Sequence, residues 1–236
     1  MSIRRNKFST LAGAALVGVL ATGANAATIH EVFHLGGHAG VAPSHEYTSG
    51  DLTLTVTAFK HNKGDLKKQI DVGQWSTGLG AQFKGDKDHK VDGRGRDEML
   101  IFSFNREVTL NFVGVSYFDH HDDVEIASYF MGKKGLKRDE YHSDVDLDPW
   151  FKSTWFYNGS WDYKGSWNDY GKVWLDADKQ VTGKFLGIGA DHKDDQFKVA
   201  AIKVSYDIAA IPLPAGLPLL LGGLGLLAVL RKRKTA

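Results

Sequence analysis

Leu52-Thr53-Leu54-Thr55-Val56-Thr57-Ala58-Phe59 alternates apolar and hydroxyl side chains until Phe59. Successive side chains of a strand point to opposite faces. The stretch therefore puts Leu52, Leu54, Val56 and Ala58 on one side and its threonines on the other. Threonine suits the open side, because its branched Cβ favours the pleated backbone and its hydroxyl tolerates water. Similar runs follow at Met99–Phe104, Val108–Phe112, Val113–Phe118, Val124–Phe130, Phe151–Tyr157, Phe185–Ile188 and Phe197–Tyr206. No stretch between the two ends sustains a helical period. Clusters of Gly, Asp, Asn and Lys, such as Lys60–Lys68, Lys84–Asp97 and Asp119–Asp123, read as the turns between strands. Many short strands with turn-rich spacers predict an all-β fold, an antiparallel β-sandwich of jelly-roll type. A fixed repeat of propeller or solenoid length is not seen.

The rest of the chain is built differently. The full sequence has 236 residues, no cysteine and a net charge of +1. Residues 1–26 and 212–236 carry seven basic side chains and no acid. The middle holds 22 of the 29 basic residues and all 28 acidic ones, a net of −6. An acidic middle argues against a nucleic-acid partner. Without cysteine there is no disulfide, thiolate metal site or thiol nucleophile.

The first end has the order of a secretion signal. Arg4, Arg5 and Lys7 precede the apolar run Leu11–Ala21, and Ala24-Asn25-Ala26 supplies small residues for cleavage. We expect residues 1–26 to form a signal helix that is removed, and 27–208 to be an extracytoplasmic domain. Residues 209–236 would be a C-terminal sorting segment. Ala209 to Leu230 is free of charge over 22 residues. A full helix of that length would reach about 33 Å, just enough for a bilayer core of about 30 Å. Pro212 and Pro214 oppose helix at its start, and Pro218 fits a first turn. The cluster Arg231–Lys234 belongs on the cytoplasmic side.

Ile211-Pro212-Leu213-Pro214-Ala215, the short apolar helix and the basic end together resemble the C-terminal sorting signals of exosortase substrates. These are the PEP-CTERM class, here in its VPLPA variant with Ile for Val. The resemblance implies an exported bacterial protein, held transiently on the membrane by its C-terminal helix. An exosortase-type membrane enzyme would then process it for the cell surface or exterior. Val91–Glu98 with the following MLIFSF and VTLNFVGVSYFD also resembles a recurrent domain of exported proteins of this class. That likeness implies a β-sandwich at the surface or in extracellular matrix, and no known reaction.

Three groups of residues are candidates for chemistry. Asp119, Asp122 and Asp123 share one short loop, and closely spaced carboxylates give a hard cation such as calcium the oxygen ligands it needs. The alternative is a solvated hairpin loop that keeps a sheet edge soluble. Asp191–Asp195 is a second acid-rich loop, weakened by Lys193. Asp144, Asp146 and Asp148 alternate, but Pro149 reads as a simple turn. His30, His34 and His38 would share one side of a strand, where imidazoles suit zinc or copper, with no acid or thiol at ligand spacing. The third group is aromatic. Trp150, Trp155, Trp161, Trp167 and Trp174 recur among glycines, and Ser160-Trp161 is echoed by Ser166-Trp167. Trp161 and Trp167 could stack on sugar rings while Asp162 and Asn168 bind hydroxyls; the alternative is that the rings fill a core.

Catalytic motifs are lacking: there is no G-x-S-x-G, H-E-x-x-H or P-loop. The expected function is a non-enzymatic exported surface or matrix protein that binds neighbouring proteins or, through its Trp-rich region, polysaccharide. The alternative is a secreted carbohydrate-active hydrolase or lyase on the same fold.

Overall fold

The computed structural model describes residues 27–86, 89–95, 97–118, 122–149 and 170–208, with Leu224 and Arg231. The chain divides into a body, Thr28–Asp207, and a second unit of Met1–Ala27 with Ile208–Ala236. The signal segment, the sorting motif and Phe151–Tyr157 lie outside the described residues. Among the described residues no helix is long and apolar enough to cross a membrane.

Among the described residues the body has fourteen strands: β1 (Ala27–His34), β2 (Gly40–Ala42), β3 (His45–Ser49), β4 (Leu52–Asn62), β5 (Asp65–Trp75), β6 (Gly78–Gln82) and β7 (Val91–Asp92). Then come β8 (Glu98–Ser116), β9 (Asp123–Gly132), β10 (Gly135–Asp146), β11 (Asp148–Pro149), β12 (Tyr170–Trp174), β13 (Thr182–Ala190) and β14 (Gln196–Ile208). The all-β, antiparallel class is as expected. The strands join in one sheet, in the order β1-β14-β6-β5-β4-β8-β13-β9-β10, and a further β14–β8 pairing closes it on itself like a barrel.

Closure depends on the length of β8. Met99–Phe104, Val108–Phe112 and Val113–Phe118 are not three strands, as their spacing had implied. One 19-residue strand runs through Asn105-Arg106-Glu107 to Ser116. Its first half pairs with β4, through Leu54↔Phe104 to Lys60↔Glu98, and its second half with β14, through Thr109↔Ser205 to Ser116↔Lys198. Thr109 pairs with both Ser205 and Thr182, so β13 lies on the edge opposite β14. A strand that serves different neighbours along its length needs no chain reversal at its polar middle. The break at Lys60–Lys68 is also shorter than expected. Lys63 and Gly64, both with positive φ, make the whole turn between β4 and β5.

Both faces of the sheet are buried around β8. Its even side chains Leu100, Phe102 and Phe104 enter a main core with Leu52, Leu54 and Val56 of β4. Its odd side chains Met99 and Ile101 enter a second, smaller core with Ala127 and Tyr129 of β9. Leu66 of β5 and Leu136 and Tyr141 of β10 pack against that second core. The Tyr129 hydroxyl donates to Gly64 O at 2.7 Å, and Arg138 donates to Lys63 O, so β9 and β10 are fastened over the β4–β5 turn. This places a small lobe, β13-β9-β10, beside the main barrel with β4 and β8 shared between them.

Candidate functional site

The small lobe ends in acids. On β9, Asp123 and Glu125 are two residues apart and so share the face of Ala127 and Tyr129. Asp191 follows the last residue of the adjacent β13, where Gly189 lies opposite Glu125. On the other neighbour, β10, a bulge between His142 and Val145 contains Asp144 with φ 52°. Bulges re-aim side chains, and aspartate tolerates the left-handed region better than most residues. The result is that one carboxylate oxygen each from Asp123, Asp144 and Asp191 lies within 4.8 Å of the others. Asp144 is exposed and the other two are half-buried, so the group opens to solvent on the β10 side.

Behind these three acids the polar groups are sealed in. Glu125 is 0% exposed, and its carboxyl hydrogen-bonds with that of Asp191. His61 Nε2 stands 3.1 Å from Glu125 Oε2, but its N–H is aligned on Ala190 O at 3.2 Å. His61 Nδ1 accepts the Gly64 N–H, so the proton sits on Nε2 and the ring is neutral. Burial lowers the His61 pKa further, against the raising effect of Asp97. Burial pushes the Glu125 carboxyl up to about 10, helped by the Asp191 carboxyl beside it and by Asp97 and Asp195. Asp123 rises to about 7, by burial first and then by Asp195, Asp144, Asp191 and Asp146. Its Oδ1 is also enclosed without a partner.

Other acids here have structural tasks. Asp195 is 1% exposed and accepts the His192 N–H at 3.1 Å and the Asp123 N–H at 3.4 Å, which ties the 191–195 loop to the start of β9. Asp122 Oδ1 accepts the Gln196 N–H at 3.1 Å. The Tyr141 hydroxyl reaches Asp191 Oδ2 at 3.4 Å.

This arrangement changes the expected ligand set. Asp119 lies outside the described residues, and Asp122 is buried and hydrogen-bonded to the β14 backbone. Of the two described members, Asp123 joins an open carboxylate group, and its companions come from the two other acid-rich stretches. The 144–148 stretch is not a simple turn, since Asp144 and Asp146 belong to β10. Glu125 stood in an apolar run and went unremarked; its signal is an acid at a core-facing position of β9. His30 and His34 are exposed on β1, His38 lies beyond the strand, and none joins a ligand group.

Trp161, Asp162, Trp167 and Asn168 lie outside the described residues. Trp174, the last of that run, is 49% exposed on β12 and packs at a tilt on Phe112, with ring centroids 4.7 Å apart. A shallow cavity of about 420 Å3 elsewhere is lined by hydroxyls, but Thr28 is bonded to Asp207 and Thr109 to Thr182. No protein-family model and no curated protein sequence matches the chain.

Proposed function

We infer that the chain is a non-enzymatic exported protein of a bacterial cell surface or extracellular matrix. One observation carries this reading: a basic-apolar start with an A-x-A site, a β-rich body, then IPLPA, an apolar stretch and Arg231–Lys234, in that order. Its partner would be an exosortase-type membrane enzyme that binds Ile211–Ala215 in extended form, since prolines hold that segment out of helix. The C-terminal apolar segment would hold the protein on the membrane until processing. The closed sheet with its two buried faces is our version of the jelly-roll-like sandwich. Mass spectrometry of the mature protein tests the reading. A C-terminus near Pro214–Gly216 is expected; an intact RKRKTA end overturns it.

Polysaccharide is the ligand class we assign, through Trp161, Trp167, Asp162 and Asn168. The half-exposed Trp174 supports it, because an exposed aromatic ring on a strand is the kind of surface on which sugars stack. A glycan array should retain the protein, and Trp161→Ala with Trp167→Ala should abolish retention. The hydrolase or lyase reading draws on two acids kept protonated at neutral pH, Glu98 at about 9 and Glu125 at about 10. Both are enclosed, at 1% and 0% exposure, so neither reaches a glycosidic oxygen. Turnover of any polysaccharide, abolished by one Asp or Glu substitution, would sink the non-enzymatic reading.

A further inference from the structure

We propose that Lys90 and Lys198, with the Tyr117 ring beside them, bind the carboxylate of an acidic sugar, a hexuronate unit of a polysaccharide. The site lies on the outer face of the main barrel, near the ends of β5 and β8 and the start of β14. Phe197 and Val199 of β14 enter the main core, so Lys198 between them points outward. Lys198 pairs with Ser116, the last residue of β8, which brings the next residue, Tyr117, to its side. β14 also pairs with β6 through Val199 and Leu79, and Gly78 of β6 pairs with Trp75, the last residue of β5. The Lys198 Nζ accordingly lies 4.3 Å from the Trp75 ring centroid and 4.8 Å from that of Tyr117. Lys90, just before β7, donates to Gln196 Oε1 at 3.1 Å, and its Nζ stands 5.5 Å from the same Tyr117 ring.

Surface lysines alone would not make this case. Lys198 is 6% exposed, and among the described residues its ammonium has aromatic rings as neighbours and no carboxylate or hydrogen-bond acceptor. Lysine is rarely buried so far unless it is paired. A ring face attracts the charge but is a poor acceptor for its three N–H donors. Burial and then Lys90 lower the Lys198 pKa from 10.5 to about 8, and no acid of the described residues offsets them. Two ammonium groups thus share one ring, and an anion is the partner that both lack. The walls favour a sugar over an inorganic ion. Tyr117 is 41% exposed, and a hexuronate carries its carboxylate on a ring whose C–H face can lie on an aromatic one. Trp75 is fixed in place: it rests on Gly73, where a Cβ would come within 1.7 Å of the indole, and His89 stacks with it at a centroid distance of 4.9 Å. A preformed wall leaves less to order on binding. The ligand class rests on the polysaccharide reading above, but the residues are not those of the Trp-rich region.

The test is isothermal titration of the full chain with oligomers of glucuronate, galacturonate and mannuronate, each beside its neutral and its sulfated hexose match. At least one uronate oligomer should bind about tenfold or more tighter than its neutral match, and added salt should weaken it. Lys198→Met and Lys90→Gln should each remove that preference. Lys198→Met keeps the apolar stem, and Lys90 is half-buried, so both variants should fold, which circular dichroism checks. Lys134→Gln, in the exposed β9–β10 turn, should bind as the unaltered chain does. Inorganic phosphate at the oligomer's concentration should not displace it. A uronate preference that survives both lysine substitutions overturns the proposal, as does equal affinity for the neutral oligomers. Equal affinity for the sulfated oligomers, or displacement by phosphate, overturns the carboxylate assignment. Binding of neutral sugars alone leaves the polysaccharide reading standing without this site, and binding of no oligomer overturns both.

Discussion

The main barrel and the small lobe share β4 and β8 but are held by different means. Among the described residues the main core gathers 33 buried side chains, from Phe33 to Tyr206, and the second core four. Burial of apolar surface stabilises in proportion to area, at about 25 cal/mol per Å2. The barrel can rest on that term. The lobe shares it through one face only, where Val124, Ile126, Leu186 and Ile188 join the main core; its other face has the four-residue core and single polar contacts: Tyr129 to Gly64, Arg138 to Lys63, Asp195 to the start of β9. It also carries the acids. A region with a small apolar core has room for polar groups, and here the carboxylates of Asp123, Asp144 and Asp191 meet.

The largest effect that would break this comparison concerns two neighbours on β8. Phe102, in the main core, and Ile101, in the small one, are both fully buried. Phe102→Ala should cost about 3–5 kcal/mol in urea unfolding, and Ile101→Ala should fall at the lower end of about 2–5 kcal/mol. Equal losses would mean that the two cores are equally well packed. A second effect comes from Glu98, 1% exposed at the end of the main barrel. Burial, then Asp92 and Asp86, raise its pKa from 4.5 to about 9, and Lys60 opposes them. Between those values the unfolded chain has released a proton that the folded one keeps, so stability falls as pH rises, by about 1.4 kcal/mol per pH unit from this group. Glu98→Gln should remove about 2–3 kcal/mol of the loss between pH 5.5 and 7.5. An unchanged slope would show that Glu98 is ionised in the fold.

Smaller effects sharpen the contrast. Asp144→Gly should gain about 1 kcal/mol, because glycine accepts φ 52° without strain. Differential scanning calorimetry would detect that gain. The smallest effect belongs to Thr53, exposed on the open end of β4. Thr53→Ala should change stability by less than about 0.5 kcal/mol. A larger loss would place a hidden contact on that face.

Much of the fold was legible along the chain. Leu52–Phe59 alternates, and Leu52, Leu54, Val56 and Ala58 are indeed the buried side of β4. Strands with apolar runs, β9, β13 and β14, were found for the same reason. β5 and β10 were missed because they are rich in Lys, Asp and Glu. Their outer faces are exposed, and pairing with β4 and β9 makes them strands. The middle of β8 was read as a break because Asn105-Arg106-Glu107 is polar, although only the partners change there. The acids were read loop by loop, which named Asp123, Asp144 and the Asp191–Asp195 loop but did not bring them together. Asp123 and Asp191 are far apart in sequence, and no spacing along the chain encodes the pairing of β9 with β13.

The sequence by itself determined what local physics can dictate: strand type, buried face and turn chemistry, and the net charge of the middle. Side-chain period and composition act over a few residues, so they can be read directly. Only the tertiary structure decided which strands are neighbours, where the sheet closes and that Asp144 turns toward Asp123 and Asp191. Those are consequences of long-range pairing and of one bulge, and they arise when the chain buries both faces of β8 at once.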